Sequence, residues 1–485
     1  MITQKHPTIM KYIISFSLLA ILLFSSSCEL TDVENPNVDQ DKYVNSPQAA
    51  ASWVNGTRRE LSQATNTLIE FSELVSDNYF NNRTLSSKVF DIPQIDYFDI
   101  DVNRVQAAFA ELRATAEFGL EEVLPGDDES TAEDEAFLRF ALGMAHLYGG
   151  TYTVGMPLEP LGPVVGDDQL LELAIAEFEQ VVSLSENAEL QQAAQLGQAR
   201  AHYYLGNRAS AVNLVQAVIA SNPGLNYQAV YDGANDVTNA FQFYLFDSSN
   251  DEFAPLPRLD FLDPKFYHTD NPTIQQQPVA LFKSEEAYLI LAEAQLADGD
   301  LSAARTTLQD MLEDVIAIRP VIAFDDSREN RGGGNRTDYP LDDDVMVRFS
   351  PDAEPRSGFI LDRQAGDVNI PVVSGTSVTT AQLEAATSED ELLELLYLMR
   401  QEIFIAEGRR MADLGIKWPI SETEFLNNDN VQEQLIEAVI PSFIPTDFGM
   451  DDFTYDEASQ IVTMRFNMNA VLVENKTAAE VLPFH

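Results

Sequence analysis

The sequence predicts a mainly α-helical protein: a tetratricopeptide-like superhelix of helix pairs, with long irregular insertions and a few short strands. Three observations point there. In 284–313, SEEAYLILAEAQLADGDLSAARTTLQDMLE, an apolar helix runs into Asp-Gly-Asp and a second helix starts near Leu301. Ala292 and Ala304 lie twelve residues apart, with Gly299 at the turn between them. The stretch 191–224, QQAAQLGQARAHYYLGNRASAVNLVQAVIASNPG, repeats the arrangement with Ala199, Ala211 and Gly206, and Pro223 ends its second helix. Small residues let two antiparallel helices approach closely, and glycine supplies the left-handed turn. Third, 133–149 and 170–184 read as a pair split by an insertion, giving a unit over about 133–184, and 391–415 reads as a further helix of the same character.

Residues 1–27 read as a signal segment. Lys5 and Lys11 are a positive start, Tyr12 to Phe24 an apolar run, and Ser25 to Ser27 a small-residue cleavage zone. The run is shorter than the ~20 apolar residues a membrane span needs. Cys28, the only cysteine, follows directly. Cleavage before it exposes an N-terminal cysteine that a bacterial envelope can acylate, and two or more chains anchor a protein stably. Cleavage at the serines by an ordinary signal peptidase is the alternative; lipoprotein signals usually carry Leu where Ser25 stands. Residues 28–47, acidic and broken by Pro36 and Pro47, read as a tether, and 48–485 as the folded body. Helical patterning starts near Gln48, where Trp53, Leu61, Leu68, Phe71 and Leu74 recur at mostly helical spacing. Irregular insertions occupy about 225–280 and 318–382, and the alternation in 453–475 suggests short strands.

With a formal charge of −49 and few lysines, the surface repels nucleic acid phosphates and anionic lipid headgroups. Charge therefore excludes partners and selects none. Beyond the signal only His146, His202, His268 and His485 remain, so no zinc or haem ligand set is visible and no cofactor is expected.

In order and spacing the chain resembles the SusD/RagB family of outer-membrane lipoproteins. The likeness is carried by CELTDVENPN, EDEAFLRFALGMAHLYGGTYTVGMPL, ALFKSEEAYLILAEAQLADGDLSAA and RQEIFIAEGRRMADLG. In the last, Glu402, Glu407, Gly408, Arg410, Asp413 and Leu414 match the family's pattern, whereas Met411, Gly415 and Ile416 depart from it. The resemblance implies a non-enzymatic lipoprotein, anchored in the outer membrane and facing the cell exterior. It implies capture of a nutrient, most often a glycan, for a SusC-like TonB-dependent barrel. The helix repeats would pack on the barrel, and the insertions would shape the ligand site.

A sugar site needs flat aromatic faces with carboxylates, amides or arginines beside them. The stretch 72–100 supplies Asp77, Asn78, Tyr79, Phe80, Arg83, Tyr97 and Phe98. A second group is Phe241, Phe243 and Tyr244, with Tyr267 and His268 further on, and its alternation suggests a strand with one buried face. Any of these aromatics could instead be core. The Glu407-to-Asp413 cluster invites an acid–base reading, but charges at helical spacing more often pair with each other. Asp342 to Asp344 could hold calcium, although adjacent carboxylates without an EF-hand pattern are usually solvated. Two other readings stay open. A helical-repeat scaffold would bind only protein in the envelope, and a glycosidase would need a carboxylate pair that sequence cannot place.

Overall fold

The computed structural model describes residues 43–82, 88–235, 237–247, 252–266, 271, 274–327, 336–446, 449–481 and 484. Cys28 and nearly all of the expected signal and tether lie outside them. The longer helices are α1 (Ala49–Val75), α2 (Ile100–Phe118), α3 (Ala132–Tyr152), α4 (Asp167–Leu184), α5 (Ala188–Tyr204) and α6 (Arg208–Ser221). They continue with α7 (Ser284–Ala297), α8 (Leu301–Asp310), α9 (Glu389–Ile403) and α10 (Met468–Glu474). None of the described helices is long and apolar enough to cross a membrane.

Side chains set the helix starts. Thr131 and Ser388 form capping boxes with Asp134 and Glu391, and the Asp99, Asn187 and Asp300 side chains accept from backbone N–H groups of α2, α5 and α8. From α1 to α8 each helix packs on its neighbours, with α7 meeting both α6 and α9. At the expected close approaches Ala199, Ala211, Ala292 and Ala304 are fully buried, and Gly206 and Gly299 take φ of 69° and 75°. Phe178 on α4 is clasped from both sides. A Cβ on Gly143 of α3 or Gly197 of α5 would come within 2.8 and 2.7 Å of its ring.

The insertions are closed at their bases by short ladders. In the first, β4 (Asn226–Ala229) pairs antiparallel with β6 (Val279–Lys283); in the second, β7 (Val321–Phe324) pairs antiparallel with β9 (Val368–Pro371). Two further ladders tie the insertions to the body. The strand after α1, β1 (Tyr79–Asn81), pairs with β5 (Phe253–Pro255), and β8 (Met346–Arg348) joins β11 (Ile461–Met464), itself paired with β10 (Phe453–Asp456). Between α3 and α4, β2 (Gly155–Pro157) and β3 (Val164–Gly166) form a small hairpin.

Three expectations need correction. The tail forms strands only as far as Met464; residues 468–474 are helical because the Asn467 side chain caps them, accepting from the Ala470 N–H. The stretch expected as one helix over 391–415 breaks after Ile403, turns through Ala406 and Gly408 with φ of 55° and 72°, and resumes at Arg410–Asp413. The alternating aromatics after Asn239 are not a strand. Asn239 caps a short helix, Ala240–Gln242, that runs into a wide helical turn over Phe243–Asp247.

Candidate ligand-binding cleft

The first group of candidate residues lies inside the protein. Asp77 is fully buried, and its carboxylate accepts from Arg410 Nε at 2.6 Å and Arg258 Nη2 at 2.5 Å. Burial pushes this carboxyl up, but Arg410 and Arg258 outweigh it and hold it below its ordinary value. Asn78 donates to Glu73 Oε2 at 2.8 Å and accepts from Gln401 at 2.9 Å. Tyr79 stands edge-on to Phe241 at 4.9 Å, and Phe80 packs with Tyr339 and Phe453. These four build the seam between α1, β5 and the broken helix, and both rings are buried. Arg83, Tyr267 and His268 lie outside the described residues.

The 402–413 motif forms the rest of that seam. Glu402 accepts from Thr376 Oγ1 and the Ser377 N–H at 2.6 and 2.7 Å; Glu407 pairs with Lys283 at 2.6 Å and Lys265 at 3.0 Å. Arg409 shares Glu286 with Arg200, each at 2.6 Å, and Asp413 pairs with Arg400 at 2.5 Å. The two arginines overcome the burial penalty on Glu286 and pull its carboxyl down to about 2. The Gly408 N–H donates to Glu73 Oε1 at 2.8 Å. The left-handed turn thus serves to deliver charged groups to fixed partners, and the cluster is a structural lattice.

Aromatics gather where residues 93–98 meet 421–440, with Phe98 exposed and Tyr97 and Phe425 half-buried. The backbones join through an Asp96–Glu437 bridge and by the Glu422 N–H donating to the Tyr97 carbonyl at 2.7 Å. Tyr97 sits edge-on to Phe98 at 5.6 Å and to Phe425 at 5.8 Å, and Phe98 is 58% exposed. Tyr97 and Phe425 line a cleft of about 830 Å³ together with Pro93, Gln94, Glu433 and Glu437, and Phe98 stands beside Tyr97 outside that lining. Ring faces beside an amide and carboxylates suit a hydroxylated ligand, whose C–H faces pack on rings while its hydroxyls donate to oxygens.

The second candidate group reaches the same end of α2. Phe243 is 48% exposed and stands edge-on to Tyr244, which is half-buried, packs on Phe253 at 5.0 Å and bonds Glu70. Burial, then Glu70, pushes the Tyr244 hydroxyl up to about 12. Arg104, in the second turn of α2, lies 3.6 Å from Glu70 and 3.0 Å from Asp101. Burial outweighs Arg104 and lifts Glu70 to about 7. Sequence reasoning missed Phe425, Glu433 and Glu437, because nothing local marks a polar stretch as the far wall of a cleft. Asp342 to Asp344 are exposed, with carboxylate oxygens within 4.8 Å of one another, an arrangement common on acidic surfaces.

No family model matches this sequence, and no curated protein matches it. Its fold does match solved structures. A SusD superfamily protein from Bacteroides thetaiotaomicron VPI-5482 aligns over 80% of this chain and 98% of its own, at 13% identity and a TM-score of 0.51. A SusD-like protein from Bacteroides fragilis NCTC 9343 aligns over 78% and 88%, at 12% identity and 0.50. A laminarin-binding SusD-like protein aligns over 79% and 98%, at 12% identity and 0.50. The chain therefore has the SusD-like fold: mainly helical, with short two- and three-stranded sheets.

Proposed function

We propose that this chain is a non-enzymatic binding protein that captures a glycan at the cell surface and passes it to a SusC-like TonB-dependent outer-membrane barrel. The observation that carries the reading is the cleft in which Tyr97 and Phe425 stand beside Gln94, Glu433 and Glu437 on a SusD-like frame. One protein of this fold is described as laminarin-binding, which makes β-glucans the first ligands to try. Tyr244 and Phe243 extend the proposed surface, and the helical stack supplies the face for the barrel. The anchor in this account is acylated Cys28, since an acidic chain gains nothing from anionic headgroups.

Calorimetric titration of the purified protein with laminarin oligosaccharides and other neutral glycans tests the binding. Deleting the gene and following growth on the same glycans tests the delivery. Saturable binding together with loss of growth supports the proposal. Binding to no glycan, with growth unchanged, removes it.

A further inference from the structure

A separate cavity of about 310 Å³ lies between the second insertion, α9 and the start of α10. Its charges are unusual for this chain. With 29 basic against 78 acidic residues, cations are scarce, and the buried arginines Arg258, Arg400, Arg409 and Arg410 are all paired with carboxylates. Arg356, half-buried, stands on the wall of this cavity. Its guanidinium lies 5.0 Å from the ring centres of both Phe349 and Phe359, while Val347 and Arg356 exchange backbone hydrogen bonds. Among the described residues no carboxylate lies within ion-pair distance of it; Glu402 acts on it only through space, and burial outweighs Glu402 and lowers its pKa.

The opposite wall offers acceptors. Glu394 accepts from Asn467 Nδ2 at 2.8 Å through Oε1, and among the described residues it has no cationic partner. Asn469 is 1% exposed; its Nδ2 donates to Gln401 at 3.0 Å, while its Oδ1 meets no donor among the described residues. A buried amide oxygen without a donor is costly and calls for a partner. Glu354 adds a further carboxylate at the rim, and Leu398 and Phe349 give an apolar wall.

We infer that this cavity binds a small zwitterion, an α-amino acid with a compact apolar side chain. The carboxylate meets the Arg356 guanidinium, the ammonium donates to Asn469 Oδ1 and Glu394, and the side chain packs on Phe349 and Leu398. A lone anion would face Glu354 and Glu394, and a lone cation would face Arg356, so among charged ligands one carrying both charges matches both walls, and glucose in the test below stands for the neutral alternative. The volume suits one residue-sized molecule. This inference does not depend on the glycan reading.

The test is calorimetric titration of the full chain with leucine, N-acetylleucine, leucinamide and glucose, repeated on Arg356→Gln and Glu394→Gln. Leucine is expected to saturate one site. Blocking either ligand charge, or making either substitution, is expected to weaken binding by about tenfold or more, the usual worth of a charge-assisted hydrogen bond. Melting curves confirm that the variants fold, and the ligand series needs no variant. Failure of leucine to bind, equal binding of either blocked analogue, or unchanged affinity in Arg356→Gln overturns the inference.

Discussion

Residues 77–80 and 97–98 come from one stretch and carry the same residue types, yet they end in opposite environments. Asp77 to Phe80 sit inside a lattice closed by Arg258, Arg410 and Gln401, while Tyr97, with exposed Phe98 beside it, lines an open cleft completed by Phe425 and Glu437. In both cases the deciding partners lie hundreds of residues away along the chain. An aromatic beside an acid or amide therefore marks interior and cleft wall alike. What separates them is whether the polar partner is already engaged.

Breaking the lattice should separate the two regions most widely. Arg410→Ala leaves Asp77 buried with one of its two ion pairs gone, at a cost of about 3–5 kcal/mol in chemical denaturation. Phe98→Ala, at an exposed position, should leave the same denaturation curve nearly unmoved. Equal destabilisation by the two would dissolve the contrast.

The lattice should also respond to pH. Burial outweighs the hydrogen bonds to Glu73 and lifts its carboxyl from 4.5 to about 7, and burial likewise lifts Glu293 to about 7. The folded chain then holds protons that the unfolded chain has released. Their stabilising contribution is present below about pH 4.5 and is lost as pH rises towards 7, by up to about 3 kcal/mol for each group. Glu286, held at about 2, acts oppositely and loses its contribution only as pH falls from 4.5 through 2. Calorimetric melting should therefore show a higher Tm at pH 5 than at pH 7.5, with a shallower slope in Glu73→Gln. A slope unchanged by that substitution would place the effect elsewhere.

Smaller effects sharpen the picture. Gly197→Ala would drive a Cβ into Phe178 and should cost about 1–3 kcal/mol by overpacking. Tyr97→Ala should weaken glycan binding by about fivefold, on the order of 1 kcal/mol, in a chain that still melts cooperatively.

The helix pairs were legible because their signals are local. An alanine at each close approach and a glycine at each turn state the geometry within a dozen residues, and Ala199, Ala211, Gly206 and Gly299 fill those roles. The break after Ile403 was not legible. Its apolar pattern continues as a helix, and the turn exists because Glu407, Arg409 and Arg410 must reach Lys283, Glu286 and Asp77. The cleft was half legible: Tyr97 and Phe98 stood out by type, whereas Phe425 and Glu437 join them only through a backbone bridge formed at long range.

The most direct test is calorimetric titration of laminarin oligosaccharides into the wild-type chain and into a Tyr97→Ala, Phe425→Ala double variant. The account predicts saturable binding to the wild type and its loss in a variant that still melts cooperatively. Binding of equal strength in both proteins would contradict it.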